Sequence, residues 1–124
     1  MITVSAVNLY NTSNFQTDIN NEYSLKQGGF LDKEITRSVG DLPWSVAIGD
    51  ANNDDLLDII TPNKGDYSIS ILLGNSTGGW EAELRKSVGQ SPNRVVIGDA
   101  DNDGLNDIIV SDNSEKKISI FLGN

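Results

Sequence analysis

The sequence predicts an all-β chain of short antiparallel strands, and three observations carry that prediction. Apolar runs of strand length, such as Val46-Ala47-Ile48, Ile59-Ile60 and Ile69-Ser70-Ile71-Leu72-Leu73, are separated by polar turns. The runs also recur: Ile48-Gly49-Asp50-Ala51-Asn52-Asn53-Asp54-Asp55-Leu56-Leu57-Asp58-Ile59-Ile60 returns as Ile97-Gly98-Asp99-Ala100-Asp101-Asn102-Asp103-Gly104-Leu105-Asn106-Asp107-Ile108-Ile109. From Gly49 to Gly98 is 49 residues, an interval found in propeller-type arrays of four-stranded sheets. The reading is therefore β-propeller blades of four antiparallel strands, about two per chain.

Residues 1–27 are the least repetitive part, with an alternating start (Ile2, Val4, Ala6) that suggests one strand ahead of an Asn-, Ser- and Thr-rich stretch. They are taken as an N-terminal extension or partial strand. Residues 28–75 form the first repeat and 76–124 the second. Gly28-Gly29-Phe30 parallels Gly78-Gly79-Trp80, and both aromatics are expected in the core. Glu34-Ile35-Thr36-Arg37-Ser38-Val39-Gly40 parallels Glu83-Leu84-Arg85-Lys86-Ser87-Val88-Gly89, each a strand candidate.

Pro43 and Pro92 precede the next apolar strands, where proline breaks one strand without harming its successor. After each acidic loop comes a second short apolar run, at 57–60 and 106–110. A polar turn follows, at 61–67 and 111–117, and then a third strand, at 69–75 and 118–124. Each acidic loop thus closes a β-hairpin.

The acidic loops carry the chemistry. Asp99, Asp101, Asp103 and Asp107 crowd four carboxylates into nine residues, and carboxylates held close raise one another's pKa until a cation neutralises them. Hard oxygen ligands at positions 1, 3 and 5 suit Ca²⁺, and Gly104 holds position 6, as in an EF-hand. Position 12 is Val110 rather than Glu, however. The last side-chain ligand instead comes early, from Asp107, with the Leu105 carbonyl available at position 7. In the first copy the candidates are Asp50, Asn52, Asp54, Asp58 and the Leu56 carbonyl. Asp55 there takes the place of Gly104, at some cost if that position is left-handed.

Composition limits the function. Nine Lys plus Arg against eighteen Asp plus Glu leave a net charge of −9, which argues against nucleic acid and anionic membrane surfaces. The absence of His and Cys removes the commonest general base, most zinc sites, thiolate chemistry and the Ser-His-Asp triad. A non-enzymatic module is expected, although Asp/Glu pairs alone can hydrolyse glycosides. No apolar run approaches the roughly 18 residues of a membrane span, and the N-terminus lacks the order of a signal peptide.

The acidic loop, with Pro92 upstream and Ile118 to Asn124 downstream, resembles the FG-GAP/VCBS repeat, whose family includes the integrin α-subunit propeller. The resemblance covers residues 28–124 and is closer to the VCBS form, since Phe-Gly and Gly-Ala-Pro are missing. It implies one Ca²⁺ in each loop, held by the residues named above, and an extracellular or cell-surface adhesion or recognition module. A glycan or protein ligand would use the rim opposite the calcium, where Trp44 and Tyr67 are the candidates for contact; packing at a blade junction is the favoured alternative for Trp44.

Two blades cannot close a ring of the usual 4 to 8. Either the chain belongs to something longer, or identical chains assemble head to tail, each giving its 34–40 strand to the next, as a trimer or tetramer. A purely structural, self-assembling propeller fragment with no ligand is the alternative function.

Overall fold

The computed structural model describes residue 31 and residues 33–124. The readings of residues 1–27 and of Gly28-Gly29-Phe30 lie outside the described residues. The chain divides into two units, Met1–Arg37 and Ser38–Asn124, and every described strand lies in the second.

Those strands are β1 (Ala47–Gly49), β2 (Asp58–Asn63), β3 (Ser68–Leu72), β4 (Leu84–Ser87), β5 (Pro92–Gly98), β6 (Asp107–Asp112) and β7 (Lys117–Phe121), with no helix among the described residues. They form two antiparallel sheets. Sheet 1 runs β1-β2-β3-β4 and sheet 2 runs β5-β6-β7. The expectation of two four-stranded sheets is therefore met by one of them.

Sheet 1 draws its fourth strand from the sequence that opens the second repeat, so the sheet crosses the repeat boundary. The corresponding segment at 33–40 forms no strand, which corrects the expectation of one at 34–40. β4 explains why. All four of its residues are exposed, so its form depends on the backbone ladder to β3 rather than on burial, and no described strand offers residues 33–40 such a ladder.

The second strand of each hairpin also runs further than its apolar core suggests. β2 continues through Thr61, Pro62 and Asn63, and β6 through Ser111 and Asp112, residues expected to begin a turn. Pro62 has no N–H to give, but its carbonyl accepts the Trp44 N–H at 2.9 Å. β1 begins at Ala47, opposite Ile60, so Pro62 lies outside that ladder and no bond of it is lost. Pro92 opens β5, with a register shift between Pro92 and Arg94.

Register places the core. Ala47, Ile60 and Ile71 stand in one row across sheet 1, and Ile97, Ile108 and Phe121 in one row across sheet 2. These faces meet, with β5 against β1 and β2, around Ala51, Ile60, Ile69, Val95 and Val110. Each buried Ile contributes about 1.5–3 kcal/mol relative to exposure. Gly49 lies 3.2 Å, measured from the position of a Cβ, from Ile97, so the inner strands approach closely beside the loops. Trp80 is only half-buried, on an isolated bridge to Gly74, and does not enter the core expected for it.

Candidate metal centre

Each acidic loop joins the first two strands of its sheet: residues 50–57 between β1 and β2, and residues 99–106 between β5 and β6. Gly49 pairs with Asp58, and Gly98 with Asp107, so both hairpins close at the same point.

Inside the loops, carboxylates organise the backbone. Asp99 accepts the Asp103 N–H at 3.0 Å and the Gly104 N–H at 2.9 Å, one on each oxygen, and Asp103 accepts the Leu105 N–H at 2.9 Å. The same bonds occur 49 residues earlier. Asp50 accepts from Asp54 at 3.0 Å and from Asp55 at 2.8 Å, and Asp54 accepts from Leu56 at 2.9 Å. Such Asx bonds curl the chain back on itself. The left-handed positions agree too: Asn53 (φ 64) with Asn102 (φ 66), and Asp55 (φ 71) with Gly104 (φ 93). Asp55 thus carries the strain that its position implied.

Asp58 and Asp107 tie each loop to its sheet. Asp107 is buried and accepts the Ala100 N–H at 2.7 Å and the Gly123 N–H at 2.8 Å, one on each oxygen. Asp58 does the same with Ala51 at 2.7 Å and Gly74 at 2.8 Å. One carboxylate therefore spans from the loop to the end of the third strand. The N–H groups of Gly123 and Ala100 hold the Asp107 carboxyl below its ordinary range.

Asp99, Asp101 and Asp107 each bring a carboxylate oxygen to within 4.8 Å of the others, an arrangement that could hold a metal ion. Asp101 feels the crowding. Burial and then the charges of Asp103, Asp107 and Asp99 push its pKa up, against the Asp103 N–H it accepts. The trio does not include Asp103, whose Oδ1 is engaged with Leu105.

The first loop gathers no such trio among the described residues. Asn52 stands there in place of Asp101 and donates its amide to Asp54 at 3.0 Å, so one charge is lost and one carboxylate oxygen is satisfied internally. Leu56 and Leu105 sit half-buried at the loop exits.

The residues that link the two loops were not singled out from the sequence. Asn106 donates its N–H to the Asn53 side chain at 2.8 Å and its amide to the Asp50 carbonyl at 2.8 Å; Asn53 returns a bond to the Asn106 carbonyl at 3.3 Å. The available signal was a departure from the repeat, since Leu57 occupies the position equivalent to Asn106. Also unforeseen is an open cleft of about 370 Å³ beside the first loop, lined by Asp55, Leu56, Leu57, Gly74 and Trp80 among others.

Trp44 and Tyr67 lie at the other end of the strands. There Lys64 and Gly65 donate to the carbonyls of Leu42 and Asp41, both at 2.9 Å, joining the two rim loops. Trp44 is more than half exposed, with the Lys64 ammonium 4.6 Å from its ring centroid. Tyr67 is half exposed at φ 59, and its carbonyl accepts the Val88 N–H at 2.8 Å. Nearby, Arg85 bridges Glu83 at 2.7 Å and Asp66 at 3.0 Å, and Glu83 accepts the Ser70 hydroxyl.

No family model, no curated protein and no solved structure matches this chain.

Proposed function

We propose that this chain is a non-catalytic, calcium-stabilised β-propeller module of the adhesion or recognition class, built from FG-GAP/VCBS-type blades. The observation that carries the reading is the bond-for-bond recurrence of the acidic loop, with carboxylates converging in the second copy. A turn stabilised only by Asx bonds has no need of three carboxylates facing one point, where they repel.

In this reading Ca²⁺ neutralises the crowded carboxylates and pins the hairpin end. The second loop binds more tightly than the first, because Asn52 removes a charge and Asp55 strains the turn. Exposed ligands such as Asp99 and Asp101 suit the weak sites of extracellular modules, which work at roughly 10⁻⁴–10⁻³ M; an extracellular or cell-surface setting follows. The rim opposite, with the exposed Trp44 ring beside Lys64, is the surface offered to a glycan or protein ligand.

Calorimetric titration with calcium tests the proposal. Two sites per chain, the tighter abolished by Asp101→Asn together with Asp99→Asn, is the expected result. No binding, with no change in melting temperature on chelation, would overturn it. Loss of glycan-array or protein binding in Trp44→Ala checks the recognition surface separately.

A further inference from the structure

We propose that the outer face and open edge of sheet 2 receive sheet 1 and residues 35–38 of a second copy of this chain; the inference rests on reading the two sheets as successive blades.

The buried contact between the sheets supplies the template. Ile60 and Ile69 of sheet 1 are fully buried beneath sheet 2. The residues 49 positions later are Ile109 and Ile118, and they lie on the outer face of sheet 2. On that face Val96, Ile109 and Ile120 share one cross-strand row, with Ile118 two residues along from Ile120. Val96 is 58 % exposed, Ile118 59 % and Ile120 49 %, with Ile109 between them half-buried. Equivalent apolar positions are thus more exposed in sheet 2 than in sheet 1, most of all Ile118 against Ile69.

What covers the first set indicates what fits the second. Sheet 2 covers sheet 1 with Val95, Ile97, Ile108 and Phe121. Their counterparts 49 residues earlier are Val46, Ile48, Ile59 and Leu72, of which Val46 and Ile48 are mostly exposed, Ile59 is half-buried and Leu72 is buried, while Thr61 stands where sheet 2 has Val110. Val46 and Ile48 thus repeat part of the covering half on the outer face of sheet 1, and Val96, Ile118 and Ile120 repeat the covered half on the outer face of sheet 2. A contact of this kind is heterologous, and it repeats from copy to copy until the ring closes.

The strand edges agree. In sheet 1, β3 pairs with β4 as Ser68↔Ser87, Ile69↔Lys86, Ser70↔Arg85 and Ile71↔Leu84. β7 is the counterpart of β3, and no described strand takes its outer edge. The matching register sets Lys117 against Ser38, Ile118 against Arg37, Ser119 against Thr36 and Ile120 against Ile35 of the second copy. Glu34 would then meet Ser119 as Glu83 meets Ser70. Strand addition to an open edge uses main-chain bonds for affinity and alternate side chains for register. Three or four chains would give six or eight blades, within the usual range.

Native mass spectrometry of the 124-residue chain in calcium, with a cysteine cross-link, tests this. The wild type should run as a closed trimer or tetramer, and Ile118→Glu, on a face exposed in the single chain, as a folded monomer. Mixing T36C with S119C under mild oxidation should yield a two-chain disulfide absent from either variant alone, since opposed residues lie within disulfide reach. A monomeric wild type, an I118E chain that still assembles, or no mixed disulfide would each overturn the proposal. A monomer that still binds calcium would defeat the assembly alone; an assembled chain that binds none would defeat the calcium reading alone.

Discussion

Replacing Asp58 separates the carboxylates that build the hairpin from those that would only hold a cation. Asp58 is fully buried and accepts two backbone N–H groups, from Ala51 at 2.7 Å and Gly74 at 2.8 Å. Ala at this position leaves both donors without an acceptor, at about 1–3 kcal/mol each, so Asp58→Ala should cost about 2–6 kcal/mol. Asp54, by contrast, is exposed and accepts one backbone N–H, from Leu56. Asp54→Ala should therefore cost about 0.5–1.5 kcal/mol without calcium. In a domain of this size 1 kcal/mol corresponds to roughly 4–8 °C of melting temperature, so the two variants are well resolved by circular dichroism melts in chelator. In calcium, the wild type should gain stability that Asp54→Ala gains less of; free calcium at 100 times Kd adds about 2.7 kcal/mol per site. Equal melting temperatures for D58A and D54A in chelator would refute the structural role given to Asp58. An equal calcium gain in wild type and D54A would refute ligation by Asp54.

Other outcomes follow from the same geometry. Asp103→Ala should lose more calcium-dependent stability than Asp54→Ala, measured by melts with and without chelator, because the second loop has the fuller set of carboxylates. Asp55→Gly should stabilise the first loop by about 0.5–1 kcal/mol, since φ 71 suits glycine better than aspartate; a urea midpoint that falls would contradict this. Gly89→Ala should destabilise by about 1–3 kcal/mol, because the added Cβ would stand 2.7 Å from Glu115 and nearer still to Asp112. Burial pushes the Asp112 carboxyl up, but the N–H groups of Ser91 and Glu115 and the Ser114 hydroxyl outweigh it, leaving its pKa below the ordinary 3.8. Its contribution is therefore present above pH 3.8 and is lost as pH falls through the lower folded value. Acid titration of Asp112→Asn should show a shallower loss of stability in that window.

The all-β class, the hairpin around each loop and Asp99, Asp101 and Asp107 as candidate ligands were legible in the sequence, which also named Asp103, outside the converging trio, and a first loop that gathers no trio among the described residues. All three are encoded locally: alternation sets strand faces, Asx bonds reach two to five residues, and Gly104 or Asp55 marks the left-handed turn without help from distant residues. Even the buried role of Asp58 and Asp107 acts beside one sheet, although the partner N–H groups of Gly74 and Gly123 come from just past the third strand and could not be assigned from spacing. The link between loops through Asn53 and Asn106 was out of reach, because it depends on how one sheet is laid on the other.

What tertiary structure alone decided is which equivalent residues are covered. Ile60 and Ile109, or Leu84 and Ile35, are matched in sequence position, and local preference treats them alike. Sheet 2 buries Ile60 while Ile109 stays half-buried, and Leu84, though exposed like Ile35, has a neighbouring strand to pair with. β4 forms because β3 supplies its ladder; residues 33–40, with a closely similar pattern, form no strand in a chain whose described strands give them none. Burial and edge pairing are properties of neighbours, and a repeat carries the same local code whether or not a neighbour is present.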